Sequence, residues 1–198
     1  MVNSDGDIEA KHSGAAGADH RTRLLASDEE RSDSQICQAL THALQQRSEL
    51  HNCTIRECAG NGKAQMVQEA QDDWPSGEIE LDASDGVINL RGKVISLSHK
   101  RVIEALAWRT PGCRGVDNGL QVVPAEDDND DELTDAVRLV MEMDRIAHVD
   151  QVLIHSKQGV VTLQGVMARD EERRLAEIDA WSVWGVKDVR NEIQVRMQ

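Results

Sequence analysis

The chain writes one pattern twice. Gly86-Val-Ile-Asn-Leu-Arg-Gly92 leads on to Trp108, Gly112, Val116, Asn118, Gln121 and Val122. Gly159-Val-Val-Thr-Leu-Gln-Gly165 leads on to Trp181, Gly185, Val189, Asn191, Gln194 and Val195. Each member of the second set lies 73 positions after its partner, without a gap. Arg101, Glu104 and Ala107 meet Arg174, Glu177 and Ala180 in the same register. Identity this dense in one fixed register means a tandem duplication. It demands two units of one fold, each near the lower size at which a single core suffices.

Periodicity orders the elements inside each unit. Ile79, Leu81 and Ala83 alternate with Glu80 and Asp82, the mark of a half-buried strand. Asp85-Gly86 signals a hairpin turn. Ile88, Leu90, Gly92 and Val94 share one face of a second strand, and an inward glycine, repeated as Gly165, predicts close approach by the helix that follows. That helix runs from about Ser98 to Arg109 with Val102, Ala105, Leu106 and Trp108 or Arg109 on its stripe, which puts Trp108 over the packed face. Pro111-Gly112 stops it, and Val116 to Val122 reads as a third strand. In the second unit Asp130 or Asp131 caps a helix carrying Leu133, Val137, Val140 and Met141. Strands Val152 to Ser156 and Val160 to Met167 follow, then a helix capped by Asp170 and a strand Val189 to Val195. Helix, strand, strand, helix, strand is an α+β unit: a three-stranded mixed sheet with two helices on one face.

Upstream the reading changes. Residues 1–33 are rich in Gly, Ser, Ala and charge and hold few large apolar residues, so they read as a disordered acidic tail. Ser34 to Leu50 has Ile36, Ala39, Leu40, Ala43 and Leu44 at helical spacing, with Asp33 or Ser34 as N-cap. His51 to Gly62 reads as loop, and Lys63 to Asp73 as a second short helix. Either helix can serve as the first helix of unit one, the other being an addition. The resulting division is a tail at 1–33, a helix and loop at 34–56, a first domain at 57–124, an acidic linker at 125–130 and a second domain at 131–198. The linker has no apolar residue beyond Ala125, which predicts that the two units fold separately.

The pattern Gly-Val-Ile/Val-x-Leu-x-Gly, a helix, then Gly-x-x-x-Val-x-Asn-x-Leu/Ile-x-Val resembles the BON domain of OsmY-like osmotic-stress proteins and secretins. It stands here at Gly86 to Val122 and again at Gly159 to Val195. The resemblance implies a non-enzymatic module that attaches to a phospholipid surface or to a protein partner in osmotic or envelope stress. Soluble ion- or ligand-sensing, as in some signal-less relatives, is the alternative class.

Charge narrows the partners. The formal net charge of -14 opposes binding to nucleic acid or to an anionic membrane by the molecule as a whole. It is unevenly spread: residues 78–124 carry six acids against six bases, and 131–198 carry thirteen against nine. The first repeat is therefore neutral, and Arg91, Lys93, Lys100, Arg101, Arg109 and Arg114 crowd it. These six are the candidate lipid- or partner-binding residues, drawn as one patch. No cofactor and no metal are expected. Cys53 and Cys58 with His51 and Cys37 lack the short knuckle spacing of a zinc site, and Asp127 to Asp131 lacks the glycine and distant glutamate of a calcium loop. Glu104 and Glu177, each three residues after an arginine, read as ion pairs on a solvated helix face, and Asn118 and Asn191 as amides bonded to the loop after Gly112 or Gly185. Met1 to Ala10 holds no apolar signal-peptide core, and the four cysteines do not repeat with the unit, so reduced thiols and a cytoplasmic location are expected, with the periplasm that the resemblance implies as the alternative.

Overall fold

The computed structural model describes residues 20–58, 64–71, 77–126, 129–143 and 149–196. Unit one comprises α1 (Asp33–Gln45), β1 (Cys53–Cys58), β2 (Ala64–Gln68), β3 (Gly77–Ser84), β4 (Val87–Val94), α2 (Leu97–Trp108), β5 (Gly115–Asn118) and β6 (Gln121–Val122). Unit two comprises α3 (Asp130–Met143), β7 (Val152–Lys157), β8 (Val160–Met167), α4 (Asp170–Ser182) and β9 (Asp188–Val195). The second sheet has the order β7-β8-β9, with β7 and β8 antiparallel and β8 and β9 parallel. The first has the same three-stranded core, β3-β4-β5 with β6 also on β4, and adds β1 and β2 beyond β3.

Both hairpins are tight. Ser84 pairs with Val87 and Lys157 with Val160, leaving two-residue turns. Asp85 and Gly86 have φ 52° and 79°, and Gln158 and Gly159 have φ 54° and 81°. Two left-handed residues in succession make the turn whose twist suits a β-hairpin. A carboxylate holds each turn from outside: Asp33 accepts from the amides of Asp85 (3.2 Å) and Gly86 (3.0 Å). Asp130 accepts from those of Gln158 (2.8 Å) and Gly159 (3.2 Å). This shared bond settles which helix opens unit one. It is α1, the counterpart of α3, and Ile36, Leu40 and Leu44 put it in the core of that unit.

Asp33 stands 46 positions before Ile79, and Asp130 stands 22 before Val152, so unit one carries 24 additional residues at this point. They supply β1 and β2. The loop expected at 51–62 and the helix expected at 63–73 are thus corrected: Cys53–Cys58 and Ala64–Gln68 form an antiparallel pair, and β1 runs parallel to β3. Ala64, Val67 and Ala70 do fall at helical spacing, but the deciding hydrogen bonds are made across strands. The Gln68 amide adds bonds to the carbonyls of Leu50, Cys53 and His51 at 2.9, 2.8 and 3.2 Å. The boundary drawn at 57 cuts through β1.

Other local expectations move by one residue. Ser32, not Asp33 or Ser34, caps α1, in a reciprocal box with Gln35. Asn129, not Asp130 or Asp131, caps α3, its Oδ1 accepting from the amides of Asp131 and Glu132, both at 3.0 Å. Arg169 stands at the cap position of α4 without a side-chain cap bond, and Asp170 is the first helical residue. Gly92 and Gly165 make way for the neighbouring strand rather than for the helix. A Cβ on Gly165 would meet the Gln151 carbonyl oxygen at 2.5 Å, and one on Gly92 would run into that of Glu78.

The two units do not stand apart. α2 packs against α3 and α4, so the helix layers face each other between the two sheets. Ala105 of α2 belongs to the core of unit two, and Leu25 packs against both cores. Residues 1–19 of the expected disordered tail lie outside the described residues. Residues 20–32 correct the rest of it: 20–25 are helical and lie along the seam. His20 sets its ring edge-on to Trp181 with centroids 4.8 Å apart. The Ser27 amide donates to the Cys113 carbonyl at 2.6 Å. So short an apolar run cannot hold itself in water, but it needs only two leucines to cover a joint that already exists.

Candidate binding surfaces

The six basic residues drawn as one patch are divided by the fold. α2 presents Lys100, Arg101 and Arg109 to unit two. Arg101 is fully buried and donates to the carbonyls of Trp184 (3.3 Å) and Glu132 (3.4 Å). Arg109 donates to Asp179 Oδ1 at 2.5 Å and to the Val140 carbonyl at 3.3 Å. Lys100 lies 4.4 Å from the Trp184 ring centroid, and burial lowers its pKa. These three cations join the two units.

Arg91, Lys93 and Arg114 remain at the surface, in different places. Arg91 and Lys93 lie on the solvent face of β4, and Arg91 is paired to Asp117 at 2.6 Å. Lys93 stands opposite Glu78 on β3. Arg114 lies at the far end of the sheet, in a cleft with Arg31, Asp33, Asp85 and Gly86. Unit two has the equivalent cleft, walled by Asp130, Gln158, Gly159, Trp184 and Lys187.

Glu104 and Glu177 are corrected from the solvated ion pairs expected of them. Each carboxylate accepts from the asparagine 14 positions on: Asn118 Nδ2 at 2.7 Å and Asn191 Nδ2 at 3.1 Å. The same amides reach the carbonyls of Lys100 (3.4 Å) and Arg173 (2.8 Å). The repeated asparagine thus ties the last strand to the second helix, not to the loop after the glycine. In unit one Glu104 is buried and also receives Arg21 at 2.5 Å.

Cys37, Cys53 and Cys113 are buried in the first core, and burial pushes their thiols up to about 12, about 11 and about 11. Thiols so protonated are poor nucleophiles and poor metal ligands at neutral pH. Among the described residues no three His, Cys, Asp or Glu side chains gather as a metal set.

One cationic surface escaped the linear reading. His155 on β7, Thr162 on β8 and Arg190 on β9 stand in one cross-strand row on the solvent face of the second sheet. With Lys157 and Val160 they line a shallow hollow of about 330 Å³. The signal lay in the 73-residue offset: the corresponding residues of unit one are Asp82, Asn89, Asp117 and Ser84.

Fold and surfaces together define a duplicated α+β scaffold whose solvent faces are its sheets. The chain belongs to the BON domain family: that domain matches residues 63–124 and again 129–197. BON domains are in general non-catalytic binding modules. The first match begins after α1 and takes in β2. No curated protein matches the chain.

Proposed function

We propose that the chain is a non-catalytic binding protein that engages a protein partner, with both units acting as one body. The placement of Lys100, Arg101 and Arg109 carries this reading. The cations that would make the first repeat attractive to an anionic membrane face the other repeat instead. What remains exposed on unit one is mixed in sign, on a molecule of net charge -14. Stress adaptation and a cytoplasmic compartment complete the proposal, the first from the likeness to OsmY-like proteins, the second in keeping with four unpaired cysteines.

Vesicle sedimentation with and without phosphatidylglycerol tests it. The full chain stays in the supernatant with either vesicle at physiological salt, and cross-linking in cells yields discrete adducts with other proteins. Salt-sensitive co-sedimentation with the anionic vesicles alone, lost in an Arg91→Glu, Lys93→Glu variant, overturns it in favour of a lipid surface.

A further inference from the structure

The duplication places an occupied and an open copy of the same sheet edge side by side. In unit one the edge of β3 away from β4 is taken by β1, in parallel, from Cys53 opposite Gly77 to Glu57 opposite Leu81. β7 is the counterpart of β3, and among the described residues it pairs with β8 alone. Backbone groups alternate between the two edges of an antiparallel strand. The Ser156 amide donates to Thr134 Oγ1 at 3.1 Å, away from β8. The N–H and C=O groups of Val152 and Ile154 therefore lie on that same outer edge. They correspond to Ile79 and Leu81, residues within the stretch that β1 pairs.

The side chains say what kind of strand fits. β1 turns Cys53 and Ile55 into the core, both fully buried. It turns Arg56 outward onto Glu78 and Glu80. The acidic edge of unit one has thus received a strand carrying a cation. On β7 the outward residues are Leu153, His155 and Lys157, with Arg190 across the sheet in the His155 row. Leu153, at 62%, is the most exposed large apolar residue among those described. Neither Lys157 nor Arg190 has a salt bridge among the described residues. The complementary strand therefore carries carboxylates on its outward face and apolar residues inward.

We infer that β7 accepts an extended acidic segment of a partner protein as an added parallel strand, main chain to main chain. This rests on the protein-partner reading above and says where that partner docks. A second copy fits less well, because β7 on β7 would bring the Lys157 cations of both copies onto one continuous sheet face.

The test uses the full chain and three capped, fluorescent peptides of about eight residues, long enough for one strand. One alternates Val with Glu, one alternates Val with Lys, and one is the Glu peptide N-methylated on the amides of one edge. The Glu peptide binds at least about tenfold more tightly than the Lys peptide at low salt, and N-methylation abolishes its binding. Leu153→Glu with Lys157→Glu, both at exposed positions, reverses the preference while the thermal midpoint and circular dichroism hold. Equal binding of methylated and unmethylated peptides overturns strand addition, and so does binding that the double substitution leaves unchanged. A dimer of the free chain in sedimentation velocity that Leu153→Glu dissolves gives the edge to a second copy and also overturns the proposal. Failure of the peptides while anionic vesicles also fail removes the β7 assignment alone, whereas vesicle binding removes the protein-partner reading beneath it.

Discussion

Arg109 Nη2 lies 2.5 Å from Asp179 Oδ1, across the joint between the two repeats. The arginine ends α2 of the first unit, and the Asp179 side chain on α4 of the second is 1% exposed. Neither residue matches its counterpart 73 positions away: Arg109 corresponds to Ser182, and Asp179 to Leu106. The pair belongs to the joint, not to the repeated unit. Arg109→Met removes this cation from a buried carboxylate and costs about 3–5 kcal/mol. Arg109→Met with Asp179→Leu restores most of that, since an apolar pair of similar volume often serves as well. Urea midpoints of the three proteins decide it, and a single substitution costing no more than the double would show the ion pair to be idle.

The segment at 20–25 adds to the same joint. Arg21 bonds Glu104 at 2.5 Å and the Ser182 carbonyl at 2.8 Å, so it touches both units. Arg21→Ala removes the cation from a buried carboxylate and lowers stability by about 2–4 kcal/mol. Glu177→Gln in unit two, where the carboxylate is only half-buried and its recorded partner is Asn191, costs less than about 1 kcal/mol. Thermal denaturation of the two variants side by side reads the difference, and equal losses would refute it.

Gly165→Ala destabilises through the backbone. Its φ of 151° lies at the edge of the left-handed region, and a Cβ would stand 2.5 Å from the Gln151 carbonyl. The expected cost is about 1–3 kcal/mol. Gly115→Ala is the control: there a Cβ would meet Val87 Cγ2 at 3.5 Å, an ordinary contact. Differential scanning calorimetry should show the first midpoint fall and the second hold.

Two of the groups that shape the acid side of the stability curve are His99 and Asp130. Burial holds the His99 imidazole below its ordinary 6.5. The unfolded chain then takes up that proton first, so stability is unaffected above pH 6.5 and declines as pH falls through that value towards the folded one. His99→Gln flattens this stretch of the curve. Asp130 is held below its ordinary 3.8 by the amides of Gln158 and Gly159. Its contribution is present above pH 3.8 and is lost as pH falls through the lower, folded value. Asp130→Asn removes that second decline. A urea midpoint measured from pH 3 to pH 8 separates the two, and unchanged curves in either variant would dismiss the group concerned.

Much of the unit was legible because its signals are local. The turn at Asp85-Gly86 needs two left-handed residues and a glycine, and alternation along Ile79 to Ala83 needs only one buried face. The pairing of β1 with β2 and β3 was not legible, since Ala64, Val67 and Ala70 suit a helix until a distant strand offers its hydrogen bonds. The candidate binding residues were hidden for a related reason. His155, Thr162 and Arg190 are far apart in the chain, and only the sheet sets them in a row.

Arg101 and Arg174 mark the limit most clearly. Duplication gives them the same helix, the same register and the same glutamate three residues on. Arg101 is fully buried, whereas the Arg174 side chain is 74% exposed and paired with Asp170. By itself the amino-acid order determined the repeated unit and its turns, because those depend on neighbours within a few residues. Which arginine would face solvent was decided by the docking of α3, α4 and residues 20–25 against α2. Burial is a property of the packed whole, and two identical stretches of chain can meet different surroundings.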